Sequence, residues 1–172
     1  MSRPVERKPK PLDVAALEAL ALRYVERYAT SCARLTRYLE RKLFERGWTE
    51  DAPPPVASTV DRLAALGYVD DRLFGDARAR SLSRRGFGRR RIGEALRQAG
   101  IDESLRGELV EDVDEVATAL AFARRRRLGP FGPALSDRAG RERAMAAFIR
   151  AGHNPQLARQ IVDAQTEADL PS

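Results

Sequence analysis

Cysteine and histidine, the residue types behind most metal sites and many nucleophiles, are almost absent from this chain of 172 residues. Each occurs once, as Cys32 and His153. A single cysteine excludes an internal disulfide bond, and this is typical of proteins in a reducing compartment. A structural zinc site needs about four cysteine or histidine ligands, and only two such residues exist. We therefore expect a cytoplasmic protein that holds no metal ion and no other cofactor.

Long apolar segments are missing as well. No uninterrupted apolar run approaches the ~20 residues that a membrane-spanning helix requires, so we expect no membrane contact. The N-terminal residues contain arginine, lysine and proline but no apolar segment of the kind found in signal peptides. We expect a disordered basic tail over residues 1–11. Because aromatic residues make up only 6% of the chain, the core must come mainly from leucine, alanine, valine and isoleucine.

Arginine is the residue type in excess. The formal net charge is +6, the isoelectric point is about 10.1, and all but three of the 31 basic residues are arginine. The planar guanidinium group suits the recognition of phosphates and carboxylates, and a basic balance favours polyanionic partners. The base composition of a GC-rich genome explains the same excess without any function. On composition alone this second interpretation is favoured.

Apolar residues recur at helical spacing from Asp13 onward, and no segment alternates as a strand does. Cap residues, among them Asp13, Ser31 and Asn154, together with glycine stops divide the chain into about nine helices. Two apolar positions four apart, followed after four more residues by glycine, occur three times, with 53 and 52 residues between the glycines. Such self-similarity is typical of helical repeats that share a core with their neighbours. The three copies are Leu39, Leu43, Gly47; Ile92, Leu96, Gly100; and Ala144, Phe148, Gly152.

These patterns predict an all-α fold built from three tandem three-helix repeats. We place the repeats at residues 12–68, 69–111 and 112–166, followed by a disordered tail over 167–172. Because each unit buries part of its surface only against a neighbour, we expect an elongated monomer.

Basic charge is concentrated in the second and third predicted repeats. Residues 78–100 carry a net charge of +7, whereas residues 101–118 carry −6. The basic segment centres on Gly86-Phe87-Gly88, a predicted corner between two helices. We expect the backbone amides at the start of the second helix to point outward and to favour an anion there. A second basic cluster, Arg124–Arg127, lies at a helix C-terminus, where the helix dipole already favours cations.

Each charge run has two interpretations. It is either a solvated helix face, screened by the neighbouring acidic run, or a contact surface for a polyanion. We favour polyanion contact at the corner and leave the second cluster open. The candidate DNA- or filament-binding residues are Arg84, Arg85, Arg89, Arg90, Arg91, Arg97, Arg124, Arg125, Arg126 and Arg127.

Enzyme signatures are not matched. The spacing Gly86-x-Gly88 has Arg91 where a dinucleotide-binding loop has its third glycine, and no strand is predicted before it. No lysine follows Lys42, so the sequence contains no phosphate-binding Gly-Lys-Ser/Thr loop. Paired carboxylates such as Asp70 and Asp71 are better explained as helix caps than as metal ligands. We therefore expect a protein that is not an enzyme.

Two motifs together carry a family resemblance. The segment Leu66-Gly67-Tyr68-Val69-Asp70-Asp71-Arg72-Leu73-Phe74, followed by Arg85-x-Gly-x-Gly and the apolar ladder to Gly100, resembles the RecX regulatory proteins. The resemblance implies three tandem three-helix repeats in an elongated, curved molecule. It also implies binding to the RecA nucleoprotein filament, with restraint of the ATPase, strand-exchange and co-protease activities of RecA in DNA repair. Members of this family also bind single- and double-stranded DNA to varying degrees.

The resemblance assigns structural roles to the motif residues. Tyr68 and Phe74 are expected to pack beside a helix start, and Ile92 and Leu96 to lie on a core face. Where the family often has alanine, this chain has Gly75, which should cost about 1 kcal/mol inside a helix. The motif residues are Gly67, Tyr68, Asp70, Asp71, Phe74, Gly86, Gly88, Ile92, Leu96 and Gly100. A general helical-repeat DNA-binding protein without specific RecA regulation stays open as the alternative function.

Overall fold

The chain is described by a computed structural model that covers residues 10–133 and 137–171. Most of the predicted N-terminal tail therefore lies outside the described residues. Leu12, the first residue after the predicted tail, is completely buried. The Leu12 amide donates to the carbonyl of Gly47 over 2.9 Å, and its carbonyl accepts from the Thr49 amide over 3.0 Å.

The described residues form nine α-helices and two short 3-10 turns, and they contain no β-strand beyond an isolated bridge between Leu12 and Trp48. The prediction of an all-α fold is confirmed. Three helices fall within each of the segments 12–68, 69–111 and 112–166. The helices are α1 Val14–Arg27, α2 Cys32–Arg46, α3 Val56–Ala65, α4 Asp71–Arg84, α5 Arg89–Gln98, α6 Glu103–Glu111, α7 Glu115–Arg126, α8 Arg138–Ala151 and α9 Pro155–Asp163.

Side-chain caps define several helix starts. The Asn154 side chain accepts from the Gln156 amide over 2.8 Å at the start of α9. At the start of α2, Ser31 accepts from the Arg34 amide over 3.3 Å. Arg34 stands where a capping box would have an acidic residue. Asp71, at the start of α4, accepts from the free amide of Cys32 over 2.7 Å and so supplies a carboxylate to this helix end.

Glycines end one helix in each predicted repeat. Gly47, Gly100 and Gly152 all have positive φ angles, at 82°, 78° and 90°. Residues other than glycine rarely adopt this conformation, which allows the chain to leave a helix in a tight turn. The spacing found in the sequence therefore corresponds to a glycine with positive φ at the end of a helix in all three copies.

The chain divides into two compact units, one ending at Phe74 and the other beginning at Gly75, with the boundary inside α4. In the first unit, α1, α2 and α3 surround a core that includes Leu17, Leu35 and Leu39, each completely buried. In the second unit, α7, α8 and α9 enclose a core around Phe122, Phe148 and Ile161, and the side chains of Ile92 and Leu96 are also completely buried.

The structure adds a packing role to the expectation for Gly75 and corrects the expectation for the C-terminal tail. Gly75 is buried, and a Cβ there would lie 2.6 Å from Cδ1 of Leu109, so the glycine makes room for a leucine of α6. The tail expected over 167–172 instead begins with a 3-10 turn over Glu167–Asp169. Its Leu170 packs against the core of the second unit. No helix in the described part of the chain is long and apolar enough to span a membrane.

Candidate nucleic-acid interface

The corner Gly86-Phe87-Gly88 between α4 and α5 is not an open anion site. The amide of Gly88 donates to the carbonyl of Ala151 over 2.9 Å, and the amide of Arg90 donates to that of Gly152 over 3.2 Å. The first turn of α5 thus rests on the carbonyls at the end of α8, and the expectation of outward-facing amides was wrong. Because a helix start and a helix end leave opposite groups unpaired, each end satisfies the other.

Close backbone packing explains both glycines of the corner. A Cβ on Gly86, whose φ is 78°, would lie 2.7 Å from the backbone nitrogen of Phe122, and a Cβ on Gly88 would overlap the carbonyl of Gly152. His153 completes the junction, because its Nε2 lies 2.9 Å from the carbonyl oxygen of Gly86. Its ring is buried and lies near the rings of Phe122 and Phe148, with centroid separations of 5.3 and 5.5 Å. This burial lowers the pKa of His153 below its ordinary value, so the ring is held neutral and donates its Nε2 proton to Gly86.

Three arginines of the predicted site bind within the protein. Nε of Arg89 donates to the carbonyl of Val113 over 2.9 Å, and its Nη2 donates to that of Glu111 over 2.8 Å. Nη2 of Arg90 donates to the carbonyl of Ile149, also over 2.8 Å. These guanidinium groups reach carbonyls at or just beyond the C-terminal ends of α6 and α8, and that of Ile149 also accepts from the Gly152 amide over 3.1 Å. Arg91 pairs with Glu94 over 3.2 Å at the surface.

The remaining predicted arginines are exposed. The guanidinium of Arg85 lies 5.1 Å from the ring centroid of Phe87, and that of Arg126 lies 5.9 Å from the ring of Phe122. The guanidinium of Arg124 lies 4.9 Å from the ring centroid of Phe131, and its Nη2 lies 4.0 Å from Oε2 of Glu167. Arg127 ends α7 with a φ of 54°. Arg84, Arg97 and Arg125 are exposed along their helices.

A groove of about 450 Å³ brings Arg126 together with two arginines that are not among the predicted site residues. Its floor includes Phe87, Phe122 and Ala147, and three arginines lie around it. We call it the arginine groove and define its rim as Arg126, Arg143 and Arg150, with Arg85 adjoining through Phe87.

Arg143 and Arg150 stand outside the runs of consecutive basic residues, so the charge runs do not point to them. They are seven residues apart on α8 and therefore share one face of that helix. A search for basic residues at helical spacing would have found them. No acidic side chain lines the groove within the described ranges. Because the guanidinium group stays protonated at all physiological pH values, the rim is permanently positive.

The family-motif residues have different surroundings. Tyr68, expected to pack, is 52% exposed. Phe74 is half-buried, with the guanidinium of Arg34 5.6 Å from its ring centroid. Asp70 caps α4 by accepting from the Leu73 amide over 2.9 Å. Gly67 has a φ of 78° in the turn after α3. The part of the chain that the structure describes contains no group of three or more histidine, cysteine or acidic side chains able to hold a metal ion.

Comparison with known proteins identifies the family. The model described as "RecX, second three-helix domain" matches residues 70–108. The regulatory protein RecX of Myxococcus xanthus (strain DK1622) is 31% identical over 167 residues, which cover 91% of this chain and 89% of the relative. The chain belongs to the RecX family. The RecX protein of Thermobifida fusca (strain YX) is also 31% identical, over 90% of this chain and 81% of its own length.

Solved RecX structures share the fold. The crystal structure of RecX from Lactobacillus salivarius superposes with a TM-score of 0.66 at 14% identity, over 87% of this chain and 94% of that one. Another crystal structure, of a regulatory protein RecX, gives a TM-score of 0.64 at 18% identity, over 87% and 73% of the two chains. At these identities the similarity establishes the architecture alone.

Proposed function

We propose that this RecX-family protein binds the DNA-bearing RecA filament and restrains the ATPase, strand-exchange and co-protease activities of RecA. Membership of a family whose relatives are named regulatory proteins supports this proposal. The protein would act in the cytoplasm as a monomer without a cofactor, and it would be a regulator and not an enzyme. The arginine groove is the observation that supports contact with the DNA of the filament.

The arginine groove has the chemistry of a phosphate-binding surface. Arg126, Arg143 and Arg150 place three permanent positive charges around one concave surface, and no acidic side chain in the described ranges lines it. A cleft of one charge sign with apolar walls concentrates the electric field and attracts a polyanion. Guanidinium groups also bind phosphate oxygens through paired hydrogen bonds.

We propose different roles for the predicted arginines. Arg85 and Arg126, with Arg143 and Arg150, would contact phosphates, and the exposed residues Arg84, Arg97, Arg124, Arg125 and Arg127 would add to the positive field. Arg89 and Arg90 would act indirectly, because their donors already hold α5 against the ends of α6 and α8. This division moves the main contact from the corner to the groove.

The experiment that tests the proposal measures the DNA-dependent ATPase of RecA with substoichiometric amounts of this protein. The wild type should lower the ATPase rate. The triple variant Arg126→Ala, Arg143→Ala, Arg150→Ala should lower it less, while remaining folded. Its affinity for single-stranded DNA should also depend less on salt, with the slope of log affinity against log salt reduced by about 0.7 per lost phosphate contact, or roughly 2 in all.

A matched control removes three other exposed arginines. Arg78, Arg138 and Arg159 do not line the groove, so their replacement by alanine changes the net charge equally and leaves the groove intact. The control should inhibit RecA almost as well as the wild type. Equal inhibition by the groove variant and the wild type would contradict the assignment of the groove.

The salt dependence of RecA inhibition also distinguishes the proposed regulator from the alternative. That alternative is a general DNA-binding protein that affects RecA only by occupying DNA. Binding through phosphates alone weakens steeply as salt increases. Binding to the filament should retain a component from apolar contacts with protein. Inhibition that falls with salt in parallel with affinity for free DNA would therefore favour the general DNA-binding protein.

A further inference from the structure

Three of the four tyrosines of the chain lie together in the first compact unit. Tyr24 belongs to α1, Tyr28 follows its last residue, and Tyr38 belongs to α2. The rings of Tyr24 and Tyr38 are stacked, with centroids 4.2 Å apart and an interplanar angle of 22°. The ring of Tyr28 lies 5.2 Å from that of Tyr24, at an angle of 49°. We call this group the tyrosine cluster.

The tyrosine cluster extends from the core to the surface. Tyr24 and Tyr38 are half-buried against the leucine core of this unit, whereas Tyr28 is 50% exposed. Packing explains the two inner rings, but an exposed ring adds little to a core that the leucines already fill. In a chain with only 6% aromatic residues, a stack that ends at an exposed ring is a distinct surface feature.

Three cationic side chains lie close to rings of the tyrosine cluster. The guanidinium of Arg27 lies 5.6 Å from the ring centroid of Tyr28. On the other side, the Arg41 guanidinium and the Lys42 ammonium lie 5.7 and 6.0 Å from the ring of Tyr38. Glu45 offsets part of this charge, because it pairs with Lys42 at 2.6 Å and with Arg41 at 3.6 Å. Helix α2 as a whole nevertheless carries five basic residues and two acidic ones.

Exposed aromatic rings next to cations are the pattern with which proteins hold single-stranded nucleic acid. Bases stack on the rings whatever their sequence, and the cations guide the phosphate backbone. Base pairs inside a duplex are already stacked on one another, so their faces are not available to a tyrosine. A surface of this kind therefore distinguishes single strands from duplexes.

We propose that the tyrosine cluster is a stacking site for a base of single-stranded nucleic acid, with Tyr28 as the ring that receives it. Arg27 stabilises the strand beside the stacked base, and Tyr24, itself stacked on Tyr38, holds Tyr28 in place through its ring contact. The inference rests on the proposed function only in taking DNA as the ligand, and it does not require RecA. It adds base contact to the phosphate contact proposed for the arginine groove.

The test compares two labelled strands of equal length by fluorescence anisotropy, without RecA. One strand is oligothymidine, and the other has the same phosphates and sugars but abasic sites throughout. The wild type should bind oligothymidine more tightly than the abasic strand. The variant Tyr28→Ala should lose about fivefold or more in affinity for oligothymidine, since one stacked base contributes about 1 kcal/mol or more, and should bind the abasic strand unchanged. Tyr28→Trp should keep the preference for bases.

Tyr68→Ala is the matched control, because Tyr68 is also half-exposed, at 52%, and takes no part in the tyrosine cluster. This variant should bind both strands as the wild type does. The inference is overturned if the wild type binds the two strands equally, or if Tyr28→Ala and Tyr68→Ala bind oligothymidine alike. Continued inhibition of RecA in either case would leave the proposed function intact. A wild type that prefers bases but does not inhibit RecA would support the stacking site and reject the proposed function.

Discussion

The amide of Gly88 donates to the carbonyl of Ala151 over 2.9 Å, one of three hydrogen bonds that join the start of α5 to the end of α8. The positive end of one helix dipole meets the negative end of the other, an arrangement that stabilises both ends. This bond and that from the Arg90 amide to Gly152 occupy two of the amides that a phosphate would have bound. The second compact unit therefore uses this corner to pack helices, and its exposed side chains are the remaining candidates for binding an anion.

Replacement of Gly88 by alanine should destabilise the second unit. The added Cβ would overlap the carbonyl oxygen of Gly152, which belongs to the backbone and cannot rotate away. We expect a loss of about 1–3 kcal/mol in the free energy of unfolding, the usual cost of overpacking, measured by urea denaturation. Gly107→Ala is the control, because nothing lies within 4 Å of its added Cβ inside α6. That variant should gain about 0.5–1 kcal/mol in the free energy of unfolding from helix propensity. Similar effects for the two variants would contradict the close packing of Gly88 against Gly152.

Arg89 should matter for stability, and Arg91 should not. Arg89 donates to the carbonyls of Glu111 and Val113, and its removal leaves the end of α6 without these partners. Arg89→Ala should therefore lower the free energy of unfolding by about 1.5–3 kcal/mol, the range for a hydrogen bond from a charged donor. Arg91→Ala breaks only an exposed ion pair with Glu94 and should cost less than about 1 kcal/mol. Urea denaturation of both variants makes the comparison, and an equal loss would show that Arg89 is merely a surface charge.

The local patterns of the chain predict its helices well. Asp13, Ser31 and Asn154 cap the helices that the sequence assigns to them, since capping depends on residues only a few positions apart. The glycines of the three repeats end helices with positive φ for the same local reason. Burial is less regular than the repeat: Leu96 is completely buried, whereas its counterpart Leu43 is only half-buried.

The candidate site was harder to predict, because charge runs do not show what each side chain contacts. Arg89 and Arg91 are two positions apart in one run, yet the first donates to backbone carbonyls of another segment and the second pairs with Glu94 of its own helix. The docking of Gly88 on α8 joins residues that are distant in sequence, and no local pattern reports it. Arg143 and Arg150 could have been found from helical periodicity, since they share one face of α8.

The thiol of Cys32 should be unreactive near neutral pH. Burial, together with the negative charge of Asp71 and a hydrogen bond to it, raises the pKa of the Cys32 thiol to about 11. Because only the thiolate is nucleophilic, alkylation by iodoacetamide should be slow in the folded protein and faster in urea. The pH dependence of the rate gives the pKa directly, since this is the only cysteine. Asp71→Asn should lower that pKa, and a native thiol that reacts as fast as free cysteine would contradict the environment described.

His153 should make folding less favourable in mild acid. Burial beside Phe122 and Phe148 lowers its pKa in the folded state, while the Gly86 carbonyl and the charge of Glu115 act in the opposite direction. The unfolded chain therefore binds a proton more readily than the folded one. The stabilising contribution is complete above the ordinary histidine pKa of about 6.5 and is lost as the pH falls from there through the lowered value.

Two measurements check this prediction. Because His153 is the only histidine, the proton NMR signal of its ring gives the pKa of the folded state, which should lie below that measured in urea. The variant His153→Gln keeps an N–H donor for Gly86 but does not titrate. Its free energy of unfolding should fall less than that of the wild type between about pH 7 and about pH 5, on either side of the ordinary pKa. Both proteins have the same carboxylates, so titration of these groups affects both equally. If the free energies of unfolding of the two proteins fell by the same amount, the His153 ring would be exposed to water and the junction between α5 and α8 would be open around it.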